Sequence, residues 1–311
     1  MDKKKLTYQI KKQGEELGFD MLGISKADFL EEEAKDLEAW LHKNQQGKMG
    51  YMENHFDKRL DPRILVPGAK SVISVIHNYF PEKPNYKVGI PKISRYAWGE
   101  DYHKVLKRKL YQLYRQINEW MQTEIPGRVF VDSAPVMDKA WAQKSGLGWI
   151  GKHTNLISPQ KGSYFFIGEI ILDLALEYDG PIKDYCGTCT RCIDACPTEA
   201  LKPYEIDANK CISYLTIELR EEIPDEYQSQ MEGWVYGCDI CQEVCPWNRF
   251  SLTHSGQEFK PLGYQDWGRD QWEEIDEKAF KKMTKKTAMN RISWQKMKQN
   301  LSIWKKKNSA N

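Results

Sequence analysis

Seven of the eight cysteines fall into two short runs, Cys186-x2-Cys189-x2-Cys192-x3-Cys196-Pro197 and Cys238-x2-Cys241-x3-Cys245-Pro246, with Cys211 between them. Thiolates two residues apart let one loop wrap three corners of an iron–sulfur cubane, and a further cysteine set before proline reaches the neighbouring cluster. The second run partly repeats the first: Cys238, Cys241 and Cys245 match Cys189, Cys192 and Cys196, whereas the counterpart of Cys186 is Val235, which cannot ligate. Cys211 is the natural substitute. One [4Fe–4S] cluster is therefore assigned to Cys186, Cys189, Cys192 and Cys245, and a second to Cys196, Cys211, Cys238 and Cys241. Structural zinc favours paired knuckles, often with histidine, and no histidine lies between His153 and His254. Disulfides need an oxidising compartment, and the start Met1-Asp-Lys-Lys-Lys5 has no apolar signal region. The implied chemistry is movement of single electrons.

Three other groupings could carry chemistry. Asp132 follows a short strand and precedes Ser133-Ala-Pro135. It reads either as a carboxyl facing a cleft, its pKa raised by an apolar pocket so that it donates a proton, or, with Ser133, as the cap of a helix near Met137. Gly146-Leu-Gly148-Trp-Ile-Gly151 matches G-x-G-x-x-G, but a helical segment precedes it and a strand follows, the reverse of a dinucleotide fingerprint. Those glycines are read as letting backbone approach a large ligand. Asp101-x-His103 opens an amphipathic helix and is read as its N-cap.

The elements that must position these groups mix helix and strand without a regular alternation, which favours an α+β layer. Helices are expected at Thr7–Leu17, through Leu30, Ala34, Leu37 and Leu41, at Asp101–Glu124 with the stripe Leu106, Leu110, Leu113, Ile117 and Met121, and at Met137–Ser145. Strands are expected at Phe19–Ile24, Lys70–Tyr79 and Arg128–Asp132, with another inside Ser163–Leu176. At 311 residues the chain suggests two or three domains. The boundaries expected are 1–180, 181–250 for the cysteine module, and a helical basic segment at 251–311. No apolar run approaches the roughly 18 residues of a membrane helix, so a cytoplasmic protein without membrane contact is expected.

The formal charge of +2 hides an asymmetry: residues 281–311 hold ten Lys or Arg and no acid, leaving 36 basic against 44 acidic side chains before them. Two oxidised cubanes on eight thiolates would add about four negative charges. A basic segment on an acidic protein suits a polyanionic partner.

Taken together, the chain resembles the epoxyqueuosine reductases, cobalamin-dependent enzymes related to reductive dehalogenases. The resemblance rests on Val131-Asp-Ser-Ala-Pro-Val136, Gly146-Leu-Gly-Trp-Ile-Gly-Lys-His-Thr154, Cys211-Ile-Ser-Tyr-Leu-Thr-Ile-Glu218 and Tyr236-Gly-Cys-Asp-Ile-Cys-Gln-Glu-Val-Cys-Pro-Trp-Asn248, and on all eight cysteines. It implies a nitroreductase-like cobalamin-binding domain joined to a ferredoxin-like domain with two [4Fe–4S] clusters. It also implies base-off cobalamin with no histidine below cobalt, in keeping with His103 as part of a cap. The implied substrate is tRNA carrying epoxyqueuosine at the wobble position. An external low-potential electron donor would drive the reaction, the enzyme would be a monomer, and Asp132 would be the proton donor. For the cobalamin pocket the resemblance points to Asp57, Arg95, Asp132, His153, Ser158, Ser213 and Asp239. For tRNA it points to the basic C-terminal segment and to Lys104, Lys107, Arg108 and Lys109. Many members continue into HEAT-like repeats, whereas this chain stops soon after Ile303. The alternatives are a two-cluster electron-transfer protein and a dehalogenase of small molecules.

Overall fold

The computed structural model describes residues 2–83 and 86–309; residues 310–311 of the expected C-terminal segment lie outside that range. Strands β1 (Met21–Lys26), β2 (Ser71–Asn78), β3 (Gly127–Phe130) and β4 (Phe165–Leu172) form an antiparallel sheet in the order β1-β2-β4-β3. Side chains alternate across a strand, and here both sides are covered, so all eight residues of β2 are buried. One side packs Ile73, Val75, Val129, Ile170 and Leu172 against the expected stripe Leu106, Leu110, Leu113 and Ile117. That stripe belongs to helix α3 (Tyr102–Met121), which follows α1 (Lys3–Glu16) and α2 (Glu31–His42). The other side packs Val72, Phe130 and Ile171 against Leu30, Leu37 and Trp141, the last from α4 (Asp138–Lys144). Each buried leucine-sized side chain contributes about 1.5–3 kcal/mol, so this sandwiched sheet is the rigid floor for the loops at its edge.

Two elements stop short of expectation at left-handed residues. Helix α3 stops at Met121 because Gln122 adopts φ 53° and turns its amide back to Asn118 and Glu119. Strand β3 stops at Phe130, and Asp132 adopts φ 52°. The glycine motif also has a different use. A Cβ at Gly148 would lie 2.3 Å from the Ile157 carbonyl oxygen, and one at Gly151 would lie 2.4 Å from Ile157 Cδ1. These glycines admit the other arm of the hairpin formed by Trp149–Ile150 and Leu156–Ile157, so the close neighbour is protein rather than ligand.

The cysteine module is stitched to the sheet domain. Trp234–Tyr236 pairs in parallel with Lys92–Ile93. Helix α5 (Ile212–Ile217) and the final helix α6 (Trp294–Ser309) close over it, with Asn300 Nδ2 donating to the Thr216 and Val235 carbonyls at 2.9 Å each. Met289, Met297, Leu301 and Trp304 belong to the same apolar core as α3. The C-terminal segment is therefore a packed wall, and several of its charges are tied down: Arg291 to Glu218 and Lys307 to Glu232, both at 2.9 Å. Lys296 is buried against Gln299. Lys282, Lys285, Lys298 and Lys306 remain exposed. No helix among the described residues is long and apolar enough to cross a membrane.

Candidate active site

The thiols gather in two places. Cys186, Cys189, Cys192 and Cys245 line a cavity of about 90 Å³. Cys196, Cys211, Cys238 and Cys241 lie together on the wall of a cleft of about 540 Å³. All eight are free thiols. Burial first, then Cys245, with Cys186 and Cys189, pushes the Cys192 thiol up to about 11. Burial first, then Cys211, pushes Cys241 further still. Four thiols crowded round one cavity cannot ionise together unless a positive core offsets them, which is what an iron–sulfur core supplies. Donors already face the sulfurs: Trp149 Nε1 lies 3.4 Å from Cys186 Sγ and the Ala200 amide 3.4 Å from Cys196 Sγ. Among the described residues no three His, Cys, Asp or Glu side chains converge as a single metal ion would require.

Asp132 faces the larger cleft from the end of β3. Its carboxylate accepts a short hydrogen bond from the Tyr102 hydroxyl, and its Oδ2 lies 3.3 Å from His103 Nε2. His103 Nδ1 is 2.8 Å from Asp101 Oδ1, and the Asp101 carboxylate also accepts the His103 amide. Asp101 is thus the expected helix cap, and the turn it starts delivers Tyr102 and His103 to Asp132. Neither Asp132 nor Ser133 caps α4; its cap residue, Met137, makes no side-chain bond. The expectation of a raised Asp132 pKa is reversed. The cleft walls surround the carboxyl, so burial opposes ionisation although 48% of the side chain is open. Hydrogen bonds from His103 and Tyr102 outweigh that and hold the carboxyl below its usual value. For His103, burial opposes the charge, but Asp101 and Asp132 push it up to about 9. At neutral pH the proton rests on the imidazole.

Sequence reasoning missed further groups at the cleft. Lys139 lines it and donates to the Thr154 carbonyl at 3.0 Å, with burial first lowering its pKa. Arg291 reaches the cleft from the C-terminal wall. Asp138 also lines it.

Of the cobalamin-pocket candidates, Asp132, His153 and Ser213 line the cleft. His153 is 2% exposed, its Nε2 has no protein partner, and burial, then Lys139, lowers it to about 4, leaving a neutral imidazole. The other candidates lie outside the lining. Arg95 and Asp239 are buried and paired at 2.9 Å, and Arg95 also reaches Glu243 at 2.7 Å. Their polar groups are taken up in joining the sheet domain to the cysteine module. Ser158 is buried beside Met21 and accepts the Gln160 amide. Asp57 is exposed in the first turn of Phe56–Leu60.

Residues 185–248 match the family described as 4Fe-4S double cluster binding domain, and residues 59–133 match the one described as Epoxyqueuosine reductase QueG, DUF1730. An epoxyqueuosine reductase of Leadbetterella byssophila is 57% identical over 96% of this chain and 97% of its own length. A solved epoxyqueuosine reductase with a tRNA-Tyr epoxyqueuosine-modified stem loop superposes with a TM-score of 0.87 at 28% identity, covering 97% of this chain and 81% of that one. Another, from Bacillus subtilis, gives a TM-score of 0.86 at 27% identity over 98% of this chain and 83% of that one, and is described with its catalytic aspartate loop swung out of the active site. With likeness of this degree along nearly its whole length, the chain belongs to the epoxyqueuosine reductase family.

Proposed function

We propose that this chain reduces epoxyqueuosine in tRNA to queuosine, with Asp132 as the residue that transfers a proton to the departing oxygen. The observation that carries this reading is one cleft lined both by Asp132 and by the thiols of Cys196, Cys211, Cys238 and Cys241. The solved relative with its modified stem loop supports the substrate. The net change breaks both C–O bonds of the epoxide, forms a C=C bond and releases the oxygen as water, consuming two electrons and two protons. When bound on the two cysteine sets, two [4Fe–4S] clusters would supply single-electron transfer from an external low-potential donor, and cobalamin in the cleft would supply two-electron reduction at carbon. The cleft suits such a group: it is large, it adjoins the second thiol set, and the buried Nε2 of His153 lacks a partner. His153 and Ser213 would hold it.

The chain's own residues manage charge and protons. Asp132, anionic at rest, takes a proton from the His103 imidazolium and passes it to the oxygen as charge develops there. Asp101 holds the imidazole in line. General acid help of this kind is worth about 10²–10⁴ in rate. The domain limits follow the same reading: 1–180 nitroreductase-like and catalytic, 181–250 ferredoxin-like, and 251–311 helical, lending Arg291 to the cleft. The exposed lysines of the last segment suit tRNA phosphates.

The test is turnover by protein loaded with clusters and cobalamin, checked by visible absorption, on tRNA carrying epoxyqueuosine. Nucleosides are then read by mass spectrometry. Queuosine should replace epoxyqueuosine. Fully loaded protein that leaves epoxyqueuosine intact with a low-potential reductant present refutes the assignment.

A further inference from the structure

Beneath Asp132 lies a pair of carboxyl groups that the reaction does not use. Glu169 is fully buried in β4, in register with Ser74 of β2 on one side and Phe130 of β3 on the other. Phe130 stands two residues before Asp132, so Glu169 lies directly under the strand end that carries it. Neither Glu169 oxygen has a donor from any ordinary hydrogen-bonding group, and Oδ1 of Asp138 is equally without one. The two carboxyls instead face each other, and the Asp138 carboxyl also faces the backbone amides of Asp132 and Asp138. Two carboxylates in contact, one of them without any donor, cannot both ionise, and burial first, then their mutual contact, raises Glu169.

We infer that Glu169 and Asp138 share one proton and act as positioning residues for the Asp132 loop. Protonated Glu169 donates to Asp138, whose carboxylate then holds the Asp132 amide. The left-handed conformation of Asp132, φ 52°, is costly for a residue with a side chain, at about 1–3 kcal/mol, and persists only where the surroundings enforce it. An amide held by a charged acceptor supplies that enforcement. The inference rests on the reading of Asp132 as the proton-transfer residue.

The groups facing the pair are few. Arg59 of the Phe56–Leu60 turn faces Asp138 while donating to the Tyr51 carbonyl at 2.9 Å. Asp132 faces both carboxyls, Lys139 adjoins Asp138 along α4, and Tyr102, His103 and Arg291 act through Asp132. Loss of the shared proton at high pH would leave two negative charges beside a third at Asp132 and release the loop.

The test compares wild type, Glu169→Gln and Glu169→Leu as cluster-loaded protein, by amide hydrogen exchange of the 131–137 segment and by turnover. Gln keeps a donor that cannot ionise; Leu has none. Glu169→Leu should speed exchange of that segment about tenfold, as expected for loss of a bond to a charged group, and lower kcat similarly with KM for tRNA unchanged. Glu169→Gln should rescue both. It should also lack the extra alkaline loosening of the segment, beyond the intrinsic pH dependence of exchange, that wild type shows, a readout that holds even if Glu169→Leu does not fold. Exchange in Glu169→Leu equal to wild type, or alkaline loosening retained in Glu169→Gln, overturns the inference. Asp132→Asn separates the two readings: full turnover by that variant removes Asp132 from catalysis, while exchange still decides whether the carboxyl pair holds the loop.

Discussion

Asp239 and Asp132 are both gripped by a tyrosine hydroxyl and a cationic side chain, yet they are built for opposite ends. Asp239 is fully buried, and four donors converge on it: the hydroxyls of Tyr86 and Ser94, the Arg95 amide and the Arg95 guanidinium. Asp132 has only Tyr102 and His103, and almost half of its side chain is open to the cleft. A fully buried carboxylate held by four donors is closed to a ligand, and its arginine cannot give up a proton. A half-open one beside a histidine has both an accessible oxygen and a proton source. The difference between brace and reactive group therefore lies in the partners, not in the aspartate.

The strongest break of that comparison is Asp132→Asn. Turnover should fall by about 10²–10⁴, with cluster absorption intact. Unchanged turnover would make Asp132 as silent chemically as Asp239. Next comes Asp239→Ala, which leaves the Arg95 guanidinium buried without its main partner. Denaturant unfolding of cluster-loaded protein should show a loss of about 3 kcal/mol, the low end for a broken buried pair, because Glu243 still holds Arg95 at 2.7 Å. An unaltered unfolding curve would deny the brace. The smallest effect sharpens the role of His103. Its pKa is about 9 in the fold, above the roughly 6.5 of the free side chain. The stabilisation from its charge is therefore complete below about pH 6.5 and lost as pH rises through about 9. Wild-type stability should decline through that window, whereas His103→Gln should show no such decline and turn over about tenfold more slowly near neutrality. A parallel decline in both would assign the titration to another group.

The legible parts of this molecule are those encoded over short stretches of chain. The cysteine spacing sorted the thiols into the same two groups that the cavities gather. The 3.6-residue stripe of α3 and the apolar run of β2 fixed the sheet and its cover. What stayed hidden depends on residues far apart in sequence. Nothing local says that the first turn of α3 meets the end of β3, so His103 read as part of a cap and its hold on Asp132 was invisible, as was the resulting reversal of the Asp132 pKa. Nothing local says that Arg95 and Asp239, 144 positions apart, neutralise each other. The packing of the basic segment was hidden for the same reason: its apolar face, through Met297, Leu301 and Trp304, is interleaved with the lysines that dominate its composition.

The thiol groups do not follow the order of the two runs. Cys245, last in the chain, shares its cavity with Cys186, Cys189 and Cys192, while Cys196 sits with Cys211, Cys238 and Cys241. Each run is thus incomplete without the other. As the polypeptide leaves the ribosome, neither set of four exists until residue 241 has emerged, and the first set waits for residue 245. Until then a growing chain presents up to six thiols with no finished site. Neither chamber can therefore receive a complete ligand set until nearly the whole module has been made.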